Sequence, residues 1–70
     1  MIAEILATGD EVRSGALVDS NSAYIARHLE MEGVGVTRHL CVGDDMLQLV
    51  AAMREIGSRA DIAVATGGLG

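Results

Sequence analysis

The sequence predicts an α/β fold: a βαβαβ unit whose mainly parallel sheet is covered by helices in three layers. Three observations predict it. Apolar runs of strand length alternate with segments of helical apolar spacing, the pattern that builds parallel sheets through right-handed crossovers. Glycine or an N-capping residue stands at most of the boundaries between them, where the chain must turn or a helix must start. The first and third runs are apolar almost throughout, as strands covered on both faces must be.

Each element has its own justification. Residues 2–8, Ile-Ala-Glu-Ile-Leu-Ala-Thr, read as a short buried strand closed by Gly9-Asp10, with Glu4 its one misfit. Residues 10–17 show no clear period and Gly15 marks a turn, so no regular structure is assigned there. Asp19, Ser20, Asn21 and Ser22 cluster as N-cap residues ahead of a helix over 23–32, where Ile25, Ala26 and Leu29 make an apolar stripe. Gly33 is its natural stop. From Val34 to Val42 the chain alternates, with Val34, Val36, Leu40 and Val42 on one face and Thr37, His39 and Cys41 on the other. Arg38 interrupts the apolar face, and the pattern suits a strand near a sheet edge. Gly43-Asp44-Asp45 supplies a turn and an N-cap for a second helix over 46–56, with Leu49, Val50, Met53 and Ile56 at helical spacing and Gly57 closing it. Residues 61–66 form the third strand, which runs into Gly67-Gly68-Leu69-Gly70. No repeat or linker divides the chain, so one domain is expected.

Composition excludes several classes of function. Seventy residues carry ten acids and five bases, all five Arg, for a net charge of −5. Coating nucleic acid needs clustered Lys or Arg, so no nucleic-acid partner is expected. Half the residues are apolar, too many for a disordered chain. A single Cys excludes an internal disulfide framework and a Cys-rich zinc site. The apolar runs fall far short of the roughly 20 residues of a membrane span, and no signal peptide is evident. A soluble, cytoplasmic protein without membrane partners is expected. Chains of this size bury only about 60% of their unfolded surface, and Tyr24 is the one aromatic residue.

In open α/β sheets, ligands bind beyond the carboxyl ends of the strands, above all where strand order reverses. Three loops follow those ends: Thr8-Gly9-Asp10-Glu11, Gly43-Asp44-Asp45, and Thr66-Gly67-Gly68-Leu69-Gly70. Glycine backbone leaves N–H groups open to a phosphate. Asp10, Glu11, Asp44 and Asp45 could hold a divalent cation such as Mg²⁺, which favours carboxylate oxygens and bridges to phosphates. Plainer roles stand beside these. One of Asp44 and Asp45 serves as an N-cap, Asp19 to Ser22 are mainly capping, and Asp10 suits a turn. His28 reads as solvated, His39 and Cys41 do not make a metal site, and Met31, Met46 and Met53 read as packing.

These motifs, with Gly15, Val18-Asp19-Ser20-Asn21-Ser22 and Ala60-Asp61-Ile62, resemble the start of the MoaB/Mog molybdopterin-binding-like fold, most closely its CinA (competence/damage-inducible protein A) branch. Leu69 discriminates, because that branch typically reads Gly-Gly-Leu-Gly where the adenylyltransferases read Gly-Gly-Thr-Gly. The resemblance implies a domain of roughly twice this length, of which residues 1–70 are the N-terminal portion. It implies hydrolysis of ADP-ribose at the pyrophosphate with a divalent metal of the Mg²⁺ or Co²⁺ type. By position, Thr8, Gly9, Asp10 and Glu11 match the first site loop, and Thr66, Gly67, Gly68 and Gly70 match the phosphate loop. Asp44 and Asp45 match an acidic pair that would position metal or water, with Asp10 as a further ligand. In the family the glycine loop continues with Pro-Thr and an acidic pair, so these 70 residues alone are expected to be inactive. Molybdopterin binding with adenylyl transfer, on the same loops, is the alternative chemistry. A non-catalytic binding or oligomerisation module is the alternative without chemistry. The partners expected are a nucleotide or pterin phosphate and further copies of the chain, since an incomplete sheet exposes an edge.

Overall fold

The computed structural model describes residues 1–67. Its elements in chain order are β1 (Ile2–Thr8), α1 (Asp10–Arg13), α2 (Ser20–Met31), β2 (Gly35–Val42), α3 (Met46–Arg59) and β3 (Ile62–Gly67). All strand pairing is parallel and the order is β2-β1-β3. That order dictates the layers. A right-handed crossover from β1 out to β2 places α2 on one face, and the return across β1 to β3 places α3 on the other. The expected α/β architecture is what the chain adopts.

Strand alternation divides the core between the two faces. On the α3 face, Leu6, Ala52 and Ile56 form a buried cluster, with Leu40, Val42, Leu49 and Ala60 packed against it. Ala3, Ile5 and Ala7 point the other way and are also buried, beneath α2, whose Ile25, Ala26 and Leu29 are half-buried. Fully burying one Ile or Leu side chain contributes about 1.5–3 kcal/mol, so Ile5, Leu6 and Ile56 dominate this small core.

The two misfits of the sequence answer each other. Glu4 is fully buried on the α3 face, and Arg59 grips it from the last turn of α3, with Nε on Oε2 and Nη2 on Oε1, both at 2.8 Å. A forked guanidinium satisfies both carboxylate oxygens at once, which an isolated buried charge would lack. The β1–β2 register shifts between Ala3 and Glu4, skipping Thr37 and setting Arg38 opposite Glu4. Hydrogen bonding from Arg59 holds the Glu4 carboxyl below its ordinary value, with the charges of Arg59 and Arg38 acting the same way and burial opposing them.

The helix ends follow local chemistry. Asp19 caps α2 by accepting from Ser22 N at 3.1 Å. The helix stops as expected at Gly33, whose φ is +85°, through paired bonds from Gly33 N to Glu30 O and from Val34 N to Leu29 O. Asp45, not Asp44, caps α3, its Oδ1 accepting from Leu47 N at 2.9 Å and Gln48 N at 3.4 Å.

Three local expectations are corrected. Gly57 does not end α3, which continues to Arg59 because the Glu4 pair anchors the extra turn. Residues 10–13 form a one-turn helix in a segment whose sequence shows no clear period. β3 is not covered on both faces: among the described residues it pairs only with β1, and Ala63 and Ala65 are exposed while Ile62 and Val64 are half-buried. At the other sheet border, β2 is the expected edge, with Thr37, His39 and Cys41 exposed.

Candidate functional site

Because β1 is flanked by β2 on one side and β3 on the other, the crossovers diverge at its carboxyl end. The crevice between the ends of β1 and β3 is therefore the topological switch point. A cleft of about 240 Å³ lies there. Its floor is Ala7 and Thr8 of β1 with Thr66 and Gly67 of β3, and α1 adds Glu11 and Val12. The opposite wall is Leu17 and Val18 with the start of α2, from Asp19 to Asn21.

Thr8 is buried and its Oγ1 donates to Thr66 O at 3.4 Å, tying the two strand ends together. Gly67 sits opposite Thr8 in the register with φ at +132°. A Cβ there would overlap the Thr8 carbonyl oxygen and Oγ1, so this position demands glycine for a reason independent of any ligand.

The carboxylates separate into two groups. Glu11 and Asp19 line the cleft. Asp10, Asp44 and Asp45 do not line it. Asp44 N donates to Asp10 Oδ1 at 3.1 Å while Asp10 N donates to Asp44 Oδ2 at 3.4 Å, a reciprocal clasp between the loops after β1 and β2. Arg13 Nε stands 3.6 Å from the same Asp10 oxygen. Asp45 is engaged as the α3 cap. No three His, Cys, Asp or Glu side chains come together among the described residues; Asp10 and Asp44 are engaged by each other's backbone N–H groups and Asp45 by the first turn of α3. Gly68, Leu69 and Gly70 of the expected phosphate loop lie outside the described residues.

Electrostatically, the described lining carries two carboxylates and no Arg or His. Any anionic group entering here would rely on backbone N–H groups and the positive end of α2. The wall from Leu17 to Asn21 was not singled out as a site by sequence, beyond the capping role of its polar residues. One signal was present: a helix that follows a parallel strand must begin at the same sheet edge where that strand ends. Ser22, in the first turn of α2, is 2% exposed and its Oγ has no hydrogen-bond partner among the described residues.

An α/β sheet with a crevice at its switch point, floored by a Thr-Gly turn and a Thr-Gly strand end, has the geometry at which open parallel sheets take ligands. Comparison with known proteins gives the family. Residues 4–70 match a family model described as a probable molybdopterin binding domain, and the chain belongs to that family. It is 59% identical to a CinA-like protein of Desulfosudis oleivorans over 70 residues, all of this chain and 17% of that one. A putative competence-damage inducible protein of Levilactobacillus brevis is 46% identical over 70 residues, again with 17% of its length covered. The crystal structure of the protein CinA, of unknown function, from Thermoplasma acidophilum superposes with a TM-score of 0.95 at 33% identity, covering 100% of this chain and 43% of that one. The chain thus spans under a fifth of the length of these two curated relatives.

Proposed function

We propose that the crevice between β1 and β3 binds a nucleotide carrying a pyrophosphate, such as ADP-ribose, and that the intact protein hydrolyses it. The observation that carries this reading is the cleft itself, placed at the switch point with Thr8, Thr66 and Gly67 on its floor. The similarity to CinA-like proteins over the whole chain supports it. Thr8 and Thr66 would offer hydroxyls, and the glycine loop would offer backbone N–H groups to phosphate oxygens. Glu11 lines the cleft and its carboxylate has no hydrogen-bond partner among the described residues, which leaves it to bind a ligand hydroxyl or orient water.

Full-length protein incubated with ADP-ribose and Mg²⁺ or Co²⁺ is expected to release AMP and ribose phosphate, and Glu11→Gln is expected to slow release by about 10²-fold if it orients water. Absence of AMP, in a preparation that turns over another substrate, would sink the reading. A second reading is favoured by the family description itself, a probable molybdopterin binding domain: pterin binding or adenylyl transfer at the same cleft. Calorimetry with molybdopterin against ADP-ribose separates the two.

A further inference from the structure

We infer that Asp10 and Asp44 are positioning residues, a reciprocal carboxylate–amide clasp that fixes α1 so that Glu11 lines the cleft, and that neither acid is a metal ligand. The inference rests on reading that cleft as the ligand site.

The helix to be fixed is a single turn, held otherwise by local bonds such as Leu17 N to Glu11 O. α1 is four residues long, and its N-cap is Gly9, which has no side chain to bond the first turn. An isolated single turn is far below the length at which helices are stable in water. The clasp supplies what the cap does not. Asp10 N, an orphan donor of the first turn, bonds Asp44 Oδ2, and Asp10 Oδ1 accepts from Asp44 N. Beside it, Gly9 N donates to Val42 O at 3.0 Å, so three bonds join the loops after β1 and β2.

The neighbouring residue is shaped to the clasp. Gly43 is buried, and a Cβ on it would lie 2.5 Å from Asp10 Oδ1 and 2.9 Å from Arg13 Nε. Closing the loops this tightly therefore needs glycine at 43. With Asp10 turned toward the β2 loop, Glu11 is the next residue round the turn and reaches the cleft on the β3 side.

A clasp and a metal site differ in what they ask of the side chain. An Asn oxygen accepts an N–H as a carboxylate does, but it is neutral and a weaker ligand for a hard cation. The test compares Asp10→Asn, Asp44→Asn, Asp10→Ala and Asp44→Ala in the full-length protein. Two readouts are used: hydrogen exchange of segments 9–14 and 42–46, and ADP-ribose affinity with and without Mg²⁺.

Either Ala variant is expected to speed exchange in both segments by about 3- to 10-fold, the worth of one net hydrogen bond, and to weaken ADP-ribose by a similar factor. Both Asn variants are expected to stay within about twofold of the parent in both readouts, since the accepting oxygen is kept. Asn variants that lose affinity as the Ala variants do would assign the role to the negative charge and overturn the clasp. Exchange unchanged in the partner segment of the Ala variants would overturn it equally. If the parent itself binds no ADP-ribose, the proposed function fails, while the exchange comparison still decides the clasp.

Discussion

Two Gly→Ala substitutions should move stability in opposite directions, and the structure gives both magnitudes. Gly57 lies inside α3, and a Cβ there would meet nothing within 4 Å. Alanine removes the entropic cost of a helical glycine, so Gly57→Ala is expected to stabilise by about 0.5–1 kcal/mol. Gly67 has φ at +132°, a conformation that costs a side-chain-bearing residue about 1–3 kcal/mol. Its Cβ would also overlap Thr8 carbonyl oxygen and Oγ1, and sit 3.1 Å from the Thr8 carbonyl carbon. Backbone cannot rotate away as a side chain can, and forced overpacking adds about 1–3 kcal/mol. Gly67→Ala should therefore cost about 2–6 kcal/mol, against a total near 4–10 kcal/mol for a chain of this length. Thermal unfolding followed by circular dichroism should show a melting point about 3–6 °C higher for Gly57→Ala and at least about 10 °C lower for Gly67→Ala. A neutral Gly67→Ala would refute the claim that Thr8, and not a ligand, dictates glycine there. Destabilisation by Gly57→Ala would refute the extension of α3 through that residue.

Other outcomes follow from the core and the Glu4–Arg59 ion pair. Glu4 has its folded value lowered, chiefly by the Arg59 hydrogen bonds, so its contribution is complete above the unfolded value and is lost as pH falls through the folded one. Melting points measured from pH 7 to pH 3 should fall as the pH drops below the ordinary value of 4.5, and Glu4→Gln should flatten that acid limb; parallel pH profiles for the two would contradict the pairing. Ile56 is fully buried against Leu6 and Ala52, so Ile56→Ala should cost about 2–5 kcal/mol in urea unfolding, whereas Val50→Ala, at a position 41% exposed, should cost well under half as much. Ser22→Ala removes a buried hydroxyl without a partner and should be neutral or stabilising by up to about 1 kcal/mol; a loss above that in the same urea assay would reveal a bond that the described residues do not make.

Much of the fold is legible because it is local. The apolar run of β1, the Asp19 cap and the Gly33 stop are all read from neighbours within a few residues, whereas the expected single apolar face of β2 is broken by the bulge at Thr37, which sets Val36 beside Ala3 and Leu40 beside Leu6 on opposite faces. What escapes is set across the chain. Glu4 looks wrong for a buried strand until Arg59, 55 residues on, is placed against it, and only then does α3 extend past Gly57. The site is legible to the level of loops, since strand ends in a parallel sheet must share an edge. Which carboxylate does what is not, because Asp10 and Glu11 are adjacent in sequence yet go to different sides of β1. Residue type alone cannot separate a carboxylate that closes a loop from one that lines a cleft.

Glu4 also ties the first strand to residues far along the chain. Of the three described strands, the central one comes first in the sequence and both of its neighbours follow it. Its opening residues find their partners only near the far end of the chain, Ile2 with Asp61 and Glu4 with Arg59. Contacts of such long separation carry the loop-closure cost before any reward, which makes folding slow. Until residue 59 is made, any early collapse around β1 would trap a lone carboxylate in apolar surroundings, an expensive state. The buried pair thus sets a condition on compaction: a sheet closed around Glu4 without Arg59 would hold an uncompensated carboxylate in apolar surroundings.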